Sequence, residues 1–138
     1  MPDSTKVTWR DGMTFDAELD NHTITMDAAE KFGGRGLGAR PKAMLLPALA
    51  GCTGMDVVSM LNKMRVPLEG FDLEVTGEMT DEHPKVYGKL HILYRFRGKD
   101  LDRSKIDRAV ELSQKTYCGV TAMLSSTAEI TYDIEVSE

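Results

Sequence analysis

Two residues of this chain can do demanding chemistry by type alone, the cysteines Cys52 and Cys118. A thiolate is a strong nucleophile, and two thiols can cycle between a reduced pair and a disulfide. Cys52 falls inside the apolar run KAMLLPALAGCTGMDVVSMLNKMRV. Three- and four-residue spacing there puts it on one helical face with Leu45, Ala48, Leu49, Met55 and Met60. The same setting describes an inert core thiol, since a buried Cys behaves as a small hydrophobe. Cys118 follows the expected end of a second helix and precedes a short helical segment. Unpaired backbone N–H groups at a helix terminus favour thiolate over thiol, so Cys118 reads as a reactive or resolving thiol. The alternative is a packing residue beside Tyr117.

Other chemistries find less support. The histidines His22, His83 and His91 have no spacing that sets two ligands on one helix face, and neither cysteine belongs to a C-x-x-C pair, so no metal site is expected. No G-x-S-x-G elbow is present, and His91 reads as a surface strand residue rather than a general base. The segment Gly34-Arg35-Gly36-Leu37-Gly38-Ala39 matches the dinucleotide pattern G-x-G-x-x-A. That pattern belongs in a tight turn directly after a parallel strand, with a second βαβ unit behind it. Here the glycines lie several residues past the last expected strand, so they are read as a mobile loop and no cofactor is expected.

The elements that must position the thiols follow from periodicity. Val7 to Asp27 alternates, with turn signals at Asp11-Gly12 and Asp20-Asn21, which predicts two or three short antiparallel strands. Ala28 to Arg40 reads as a flexible loop. From Pro41 a long, mostly buried helix is expected, kinked at Pro47. A hairpin follows, with Leu73, Val75 and Met79 on its first strand and Leu90, Ile92, Tyr94 and Phe96 on its second. Asp102 or Ser104 caps a further helix that shares Ile106, Ala109, Val110, Ser113 and Tyr117 on one face. The short piece Val120 to Ser125 precedes a last strand with Ala128, Ile130, Tyr132, Ile134 and Val136 inside. Clustered strands of this kind predict an α+β fold with mainly antiparallel sheet, as a single domain over residues 1–138.

Composition narrows the partners. A formal charge of −5 argues against nucleic acid, which calls for a clustered Lys and Arg excess. No stretch is read as reaching the roughly 20 apolar residues of a membrane span, and the start MPDSTKVTWRDG lacks the apolar centre of a signal peptide. A cytoplasmic protein is expected, and in that reducing compartment its two cysteines read as free thiols, catalytic groups or metal ligands rather than as a structural staple. The long helix is apolar on so many sides that a partner chain would supply the missing cover.

The run GLGARPKAMLLPALAGCTGMDVVSML, Gly36 to Leu61, with AVELSQKTYCGVTAML, Ala109 to Leu124, resembles the two cysteine helices of the OsmC/Ohr family of osmotically inducible and organic hydroperoxide resistance proteins. Strand order, the glycine loop, the hairpin and the terminal strand fall where that family has them. The resemblance implies antiparallel sheets around a long central cysteine helix in an intertwined homodimer, with active sites at the subunit interface. It also implies a Cys-based peroxidase acting on organic hydroperoxides: Cys52 becomes a sulfenic acid, Cys118 resolves it, and a dithiol reductant restores both. Arg10 is most similar to the family's activating Arg, with Arg35 and Arg40 as substitutes. The family's early-helix Glu is absent, Pro41-Lys42 standing where Pro-Glu is frequent. Lys42 could lend a positive field, but ten helical residues span about 15 Å. After Cys118 the family commonly has Pro, then Ser three residues from the Cys; this chain has Gly119 and Thr121. A non-catalytic relative that binds a small hydrophobic ligand in the interface cavity is the alternative.

Overall fold

The computed structural model describes residues 2–138, in two compact units, one running through Leu45 and the other Leu46–Glu138. The first unit is a three-stranded antiparallel meander, β1 (Lys6–Asp11), β2 (Thr14–Leu19) and β3 (His22–Met26). Its turns fall at the expected dipeptides, where Gly12, Asp20 and Asn21 take positive φ. Such backbone is tolerated by Gly and by Asn or Asp better than by other residues.

The segment after β3 is no flexible loop. Asp27, 2% exposed, accepts hydrogen bonds at Oδ1 from the Ala28 N–H (2.8 Å) and at Oδ2 from the N–H groups of Arg35 (3.0 Å) and Leu37 (3.2 Å). A backbone bond from Asp27 N–H to the Ala39 carbonyl closes the loop at its base. The glycines permit close approach of backbone to backbone. A Cβ on Gly34 would meet the Ala28 carbonyl oxygen at 1.7 Å, and one on Gly38 the Thr25 carbonyl oxygen at 2.2 Å. Amides that a pyrophosphate would use are thus taken by the chain's own carboxylate, the physical reason the dinucleotide pattern is a false match.

A 3-10 turn, Lys42–Met44, leads into α1 (Leu45–Lys63). Pro47 was expected to kink a helix interior, but it occupies the first turn of α1, where a missing N–H costs nothing. The expectation that no segment approaches a membrane span is corrected. The 22 residues Lys42–Lys63 contain an 18-residue window of mean hydropathy 1.6, long and apolar enough to cross by length and composition, a test that a core helix also passes. Counting consecutive apolar residues missed this because Thr53 and Asp56 interrupt the run without lowering its average enough.

In the second unit α1 packs with a three-stranded sheet of order β4 (Gly70–Met79), β5 (Tyr87–Arg97), β6 (Glu129–Ser137) and with α2 (Arg103–Leu112). Leu49, Val57 and Leu61 of α1, Leu90, Ile92, Tyr94 and Phe96 of β5, and Ile106, Ala109 and Val110 of α2 form the buried core. Asp102 caps α2, its Oδ1 accepting from the N–H groups of Ser104 and Lys105. β4 and β5 are antiparallel, as the alternation predicted, whereas β6 joins β5 in parallel, Leu90 opposite Ile130 and Tyr94 opposite Ile134. The parallel pairing follows from the helical crossover between β5 and β6. On β6, Tyr132 was expected inside but is 38% exposed.

The first unit yields a test. The Arg35 amide above all, then the amides of Ala28 and Leu37, hold the Asp27 carboxyl below its ordinary value of 3.8, although burial pushes it up. A depressed folded-state pKa contributes stability above the unfolded value, and that contribution disappears as pH falls through the folded value. Order in the 28–39 segment should therefore persist through pH 3.8 and fail only below it. Asp27→Ala should remove it at every pH, read as loss of hydrogen-exchange protection at the Arg35 and Leu37 amides.

Candidate active site

The arrangement of the two thiols begins with a change of helical pitch. α2 runs regularly to Leu112, and the next five residues, Ser113–Tyr117, form a π-turn closed by the Cys118 N–H on the Ser113 carbonyl at 2.8 Å. The wider turn contains one residue more than an α-turn would. Tyr117, four positions after buried Ser113, was expected on the inner face and is instead 62% exposed. Cys118, five positions after, takes the inward place and is 3% exposed.

There Cys118 also caps α3 (Gly119–Leu124), its Sγ accepting from the Thr121 N–H at 3.4 Å. Cys52, half-buried on α1, packs against the core cluster that contains Cys118 and is one of the neighbours that raise its thiol, and both are free thiols. The structure therefore brings together the two cysteines singled out in the sequence, within one unit. Burial first, and then the neighbouring Cys52, push the Cys118 thiol above its ordinary value, while its bonds from Thr121 pull the other way. The Thr121 contacts at this helix terminus favour the thiolate, and burial outweighs them. Met55, placed by spacing on the Cys52 face, is 75% exposed, and the buried side of α1 is Leu49, Thr53, Gly54, Val57 and Leu61.

Around the thiols runs a polar network that spacing did not reveal. Thr53 Oγ1 is 2.7 Å from both the Tyr94 hydroxyl and Ser113 Oγ; Ser113 Oγ donates to Asp56 Oδ2 at 2.9 Å; and Gln114 Nε2 donates to the Tyr94 hydroxyl at 2.7 Å. Thr121 Oγ1 donates to Gln114 Oε1 at 3.4 Å. Burial pushes Tyr94 up to about 12, so it stays a hydrogen-bond donor. Its ring is held parallel to Phe71 and Phe96 and edge-on to Tyr132. One signal was available in the sequence: Thr53 and Asp56 are polar residues in a mostly apolar stretch.

The cations belong to the first unit. Arg10, on β1, forms an exposed ion pair with Asp16 at 3.6 Å. Arg35 is held more firmly, by Asp11 and by Thr14 Oγ1 at 3.1 Å. Among the described residues no group of three or more His, Cys, Asp or Glu could hold a metal ion.

A sequence model of the OsmC-like protein family matches residues 33–133. The chain belongs to the OsmC-like family. Its relatives include protein YhfA of Escherichia coli strain K12, 35% identical over 133 residues, which span 95% of this chain and 96% of that protein. Among solved structures, a hypothetical protein from Aquifex aeolicus VF5 superposes with a TM-score of 0.84 at 26% identity, covering 100% of this chain and 99% of that one. The organic hydroperoxide resistance protein OhrB of Bacillus subtilis shares the fold, with a TM-score of 0.69 at 16% identity over 96% of this chain and 98% of OhrB. The α+β expectation is met in this OsmC-like fold.

Removing a hydroxyl from the network tests its cost. Ser113→Ala leaves the Thr53 hydroxyl and the Asp56 carboxylate short of a partner, and a buried polar group without one costs about 1–3 kcal/mol. Urea unfolding should show a midpoint lowered accordingly, with an unchanged slope.

Proposed function

We propose that this OsmC-like chain is a thiol-dependent peroxidase acting on organic hydroperoxides. The observation that carries this reading is the presence in one core of two free cysteines from different elements, Cys52 of α1 packed against the cluster that holds Cys118 at the end of the π-turn. The Cys52 thiolate attacks the peroxide O–O bond. An S–O bond forms, the alkoxide leaves and takes up a proton as the alcohol, and Cys52 becomes a sulfenic acid. Cys118 then loses its proton and attacks the Cys52 sulfur. The disulfide forms, and the departing hydroxide leaves as water with that proton. A dithiol reductant restores both thiols and is itself oxidised to a disulfide.

The attacking sulfur must be ionised, and an unperturbed thiol has a pKa of about 8.5, so a cation is required. We assign that role to Arg10. Its partner Asp16 is a loose, exposed one, whereas Arg35 is committed to Asp11 and Thr14. The working unit is a homodimer in which a second copy covers the exposed side of α1, where Met55 and Val58 stand in the open. The reading places the chain in the cytoplasm, where thiols stay reduced.

Stopped-flow mixing of the reduced protein with cumene hydroperoxide and with hydrogen peroxide, followed by mass, tests the chemistry. Loss of two thiols to a Cys52–Cys118 disulfide is expected, faster with the organic peroxide. Cys52→Ser should abolish it, Cys118→Ser should stop at the sulfenic acid, and Arg10→Leu should slow the first step. Because the Cys118 pKa is raised, the second step should keep accelerating above the ordinary thiol range of about 8.5. Sedimentation should give a particle of two chains, and a monomer at micromolar concentration would remove the interface from the proposal.

A second reading has its own observation. An open, apolar groove of about 600 Å³ runs between α1 and β4, lined by Gly51, Gly54, Met55, Val58, Phe71 and Leu73, and Cys52 is not among its lining residues. A non-catalytic OsmC-like protein would hold a small hydrophobic ligand there. Thiols that react no faster than free cysteine, with an apolar fluorophore bound equally well by Cys52→Ser, would put this reading first.

A further inference from the structure

The polar network beside the thiols has a direction. The Asp56 carboxylate only accepts, so the Ser113 hydroxyl spends its proton there. Ser113 must then accept from Thr53, whose proton is spent in turn, and Thr53 must accept from Tyr94. Tyr94 accepts from the Gln114 amide. The chain of donors thus runs from Gln114 through Tyr94, Thr53 and Ser113 to Asp56, with each hydroxyl proton placed and none free to turn. It joins α1 and β5 to both ends of the peptide Ser113-Gln114, the first two residues of the π-turn.

We propose that Thr53, Tyr94, Ser113 and Gln114, anchored on Asp56, are positioning residues that hold the π-turn open and so keep Cys118 on Cys52 for disulfide closure. The proposal rests on the reading that these two thiols form a disulfide. None of the five need touch a peroxide. The α-helical alternative at Ser113–Tyr117 would put Tyr117 inward and Cys118 away. The network selects against it by clamping the Ser113 and Gln114 side chains to fixed groups on α1 and β5. Thr53 is the central member, completely buried, and shares its hydroxyl oxygen with Tyr94, Ser113 and, at 3.3 Å, Gln114.

The test equilibrates the full chain with mixtures of reduced and oxidised dithiothreitol, which needs no peroxide, and measures the fraction of Cys52–Cys118 disulfide by mass. Thr53→Val, which keeps the side-chain shape, should lower the disulfide formation constant about tenfold, or ~30 mV for a two-electron couple. Thr53→Ser should restore it, because it returns the hydroxyl. Tyr94→Phe, which keeps the stacked ring, should act in the same direction and serves where Thr53→Val does not fold. With cumene hydroperoxide, Thr53→Val should oxidise Cys52 at the wild-type rate but let its sulfenic acid persist long enough for capture by a dimedone probe. A folded Thr53→Val or Tyr94→Phe with the wild-type constant overturns the proposal. Failure of the peroxidase reading is distinguished from this, since the wild-type protein would then be inert to cumene hydroperoxide while its exchange constant with dithiothreitol still responded to Thr53→Val.

Discussion

The hydrogen bond from the Cys118 N–H to the Ser113 carbonyl is the constraint on which the candidate site depends. It closes a five-residue step where a four-residue step would continue α2, and one additional residue decides which side chain faces the core. An unbroken α-helix would continue the inward series Ile106, Ala109, Val110, Ser113 with a large aromatic ring at Tyr117. With the wider turn, a small sulfur enters beside Cys52 and the ring goes to solvent. The capping bond from Thr121 and the start of α3 follow from that placement.

A sulfur pair in an apolar core would ordinarily pack as two inert groups. Here the core contains a group of polar side chains arranged so that no described buried side-chain nitrogen or oxygen lacks a partner. Full satisfaction matters because low dielectric makes a made hydrogen bond strong and a missing one costly. Tyr94 ties this polar group to the sheet, since its ring belongs to the aromatic stack with Phe71 and Phe96 while its hydroxyl belongs to the network.

Strand alternation, turn dipeptides, the Asp102 cap and the two cysteine segments were legible in the sequence because each is a local pattern with a short period. What was not legible depended on partners far along the chain. The Tyr117 and Cys118 faces came out reversed because 3.6-residue periodicity carries no mark of a single wide turn. Gly34 to Gly38 looked mobile because the residue that orders them, Asp27, precedes them in an unremarkable strand end. The parallel direction of β6 and the outward placing of Met55 and Tyr132 likewise follow from tertiary packing rather than from spacing. Thr53 and Asp56 were visible as polar interruptions, but their partners Tyr94 and Ser113 lie 41 and 57 residues from them in sequence.

The wide turn also places a condition on how this stretch can change over generations. Substitutions at its exposed positions, Lys115 to Tyr117, alter surface chemistry and leave the hydrogen-bonded ring intact. A change of length does not. Losing one codon there would set the cysteine four positions after Ser113, the inward place at α-helical pitch, and so trade the wide turn for a regular one, whereas gaining one codon would rotate everything downstream by about 100° and turn the thiol from its partner while altering no residue of the pair. In this segment selection therefore acts on the count of residues as well as on the cysteine itself, and an insertion is the lesion to which the site is most exposed.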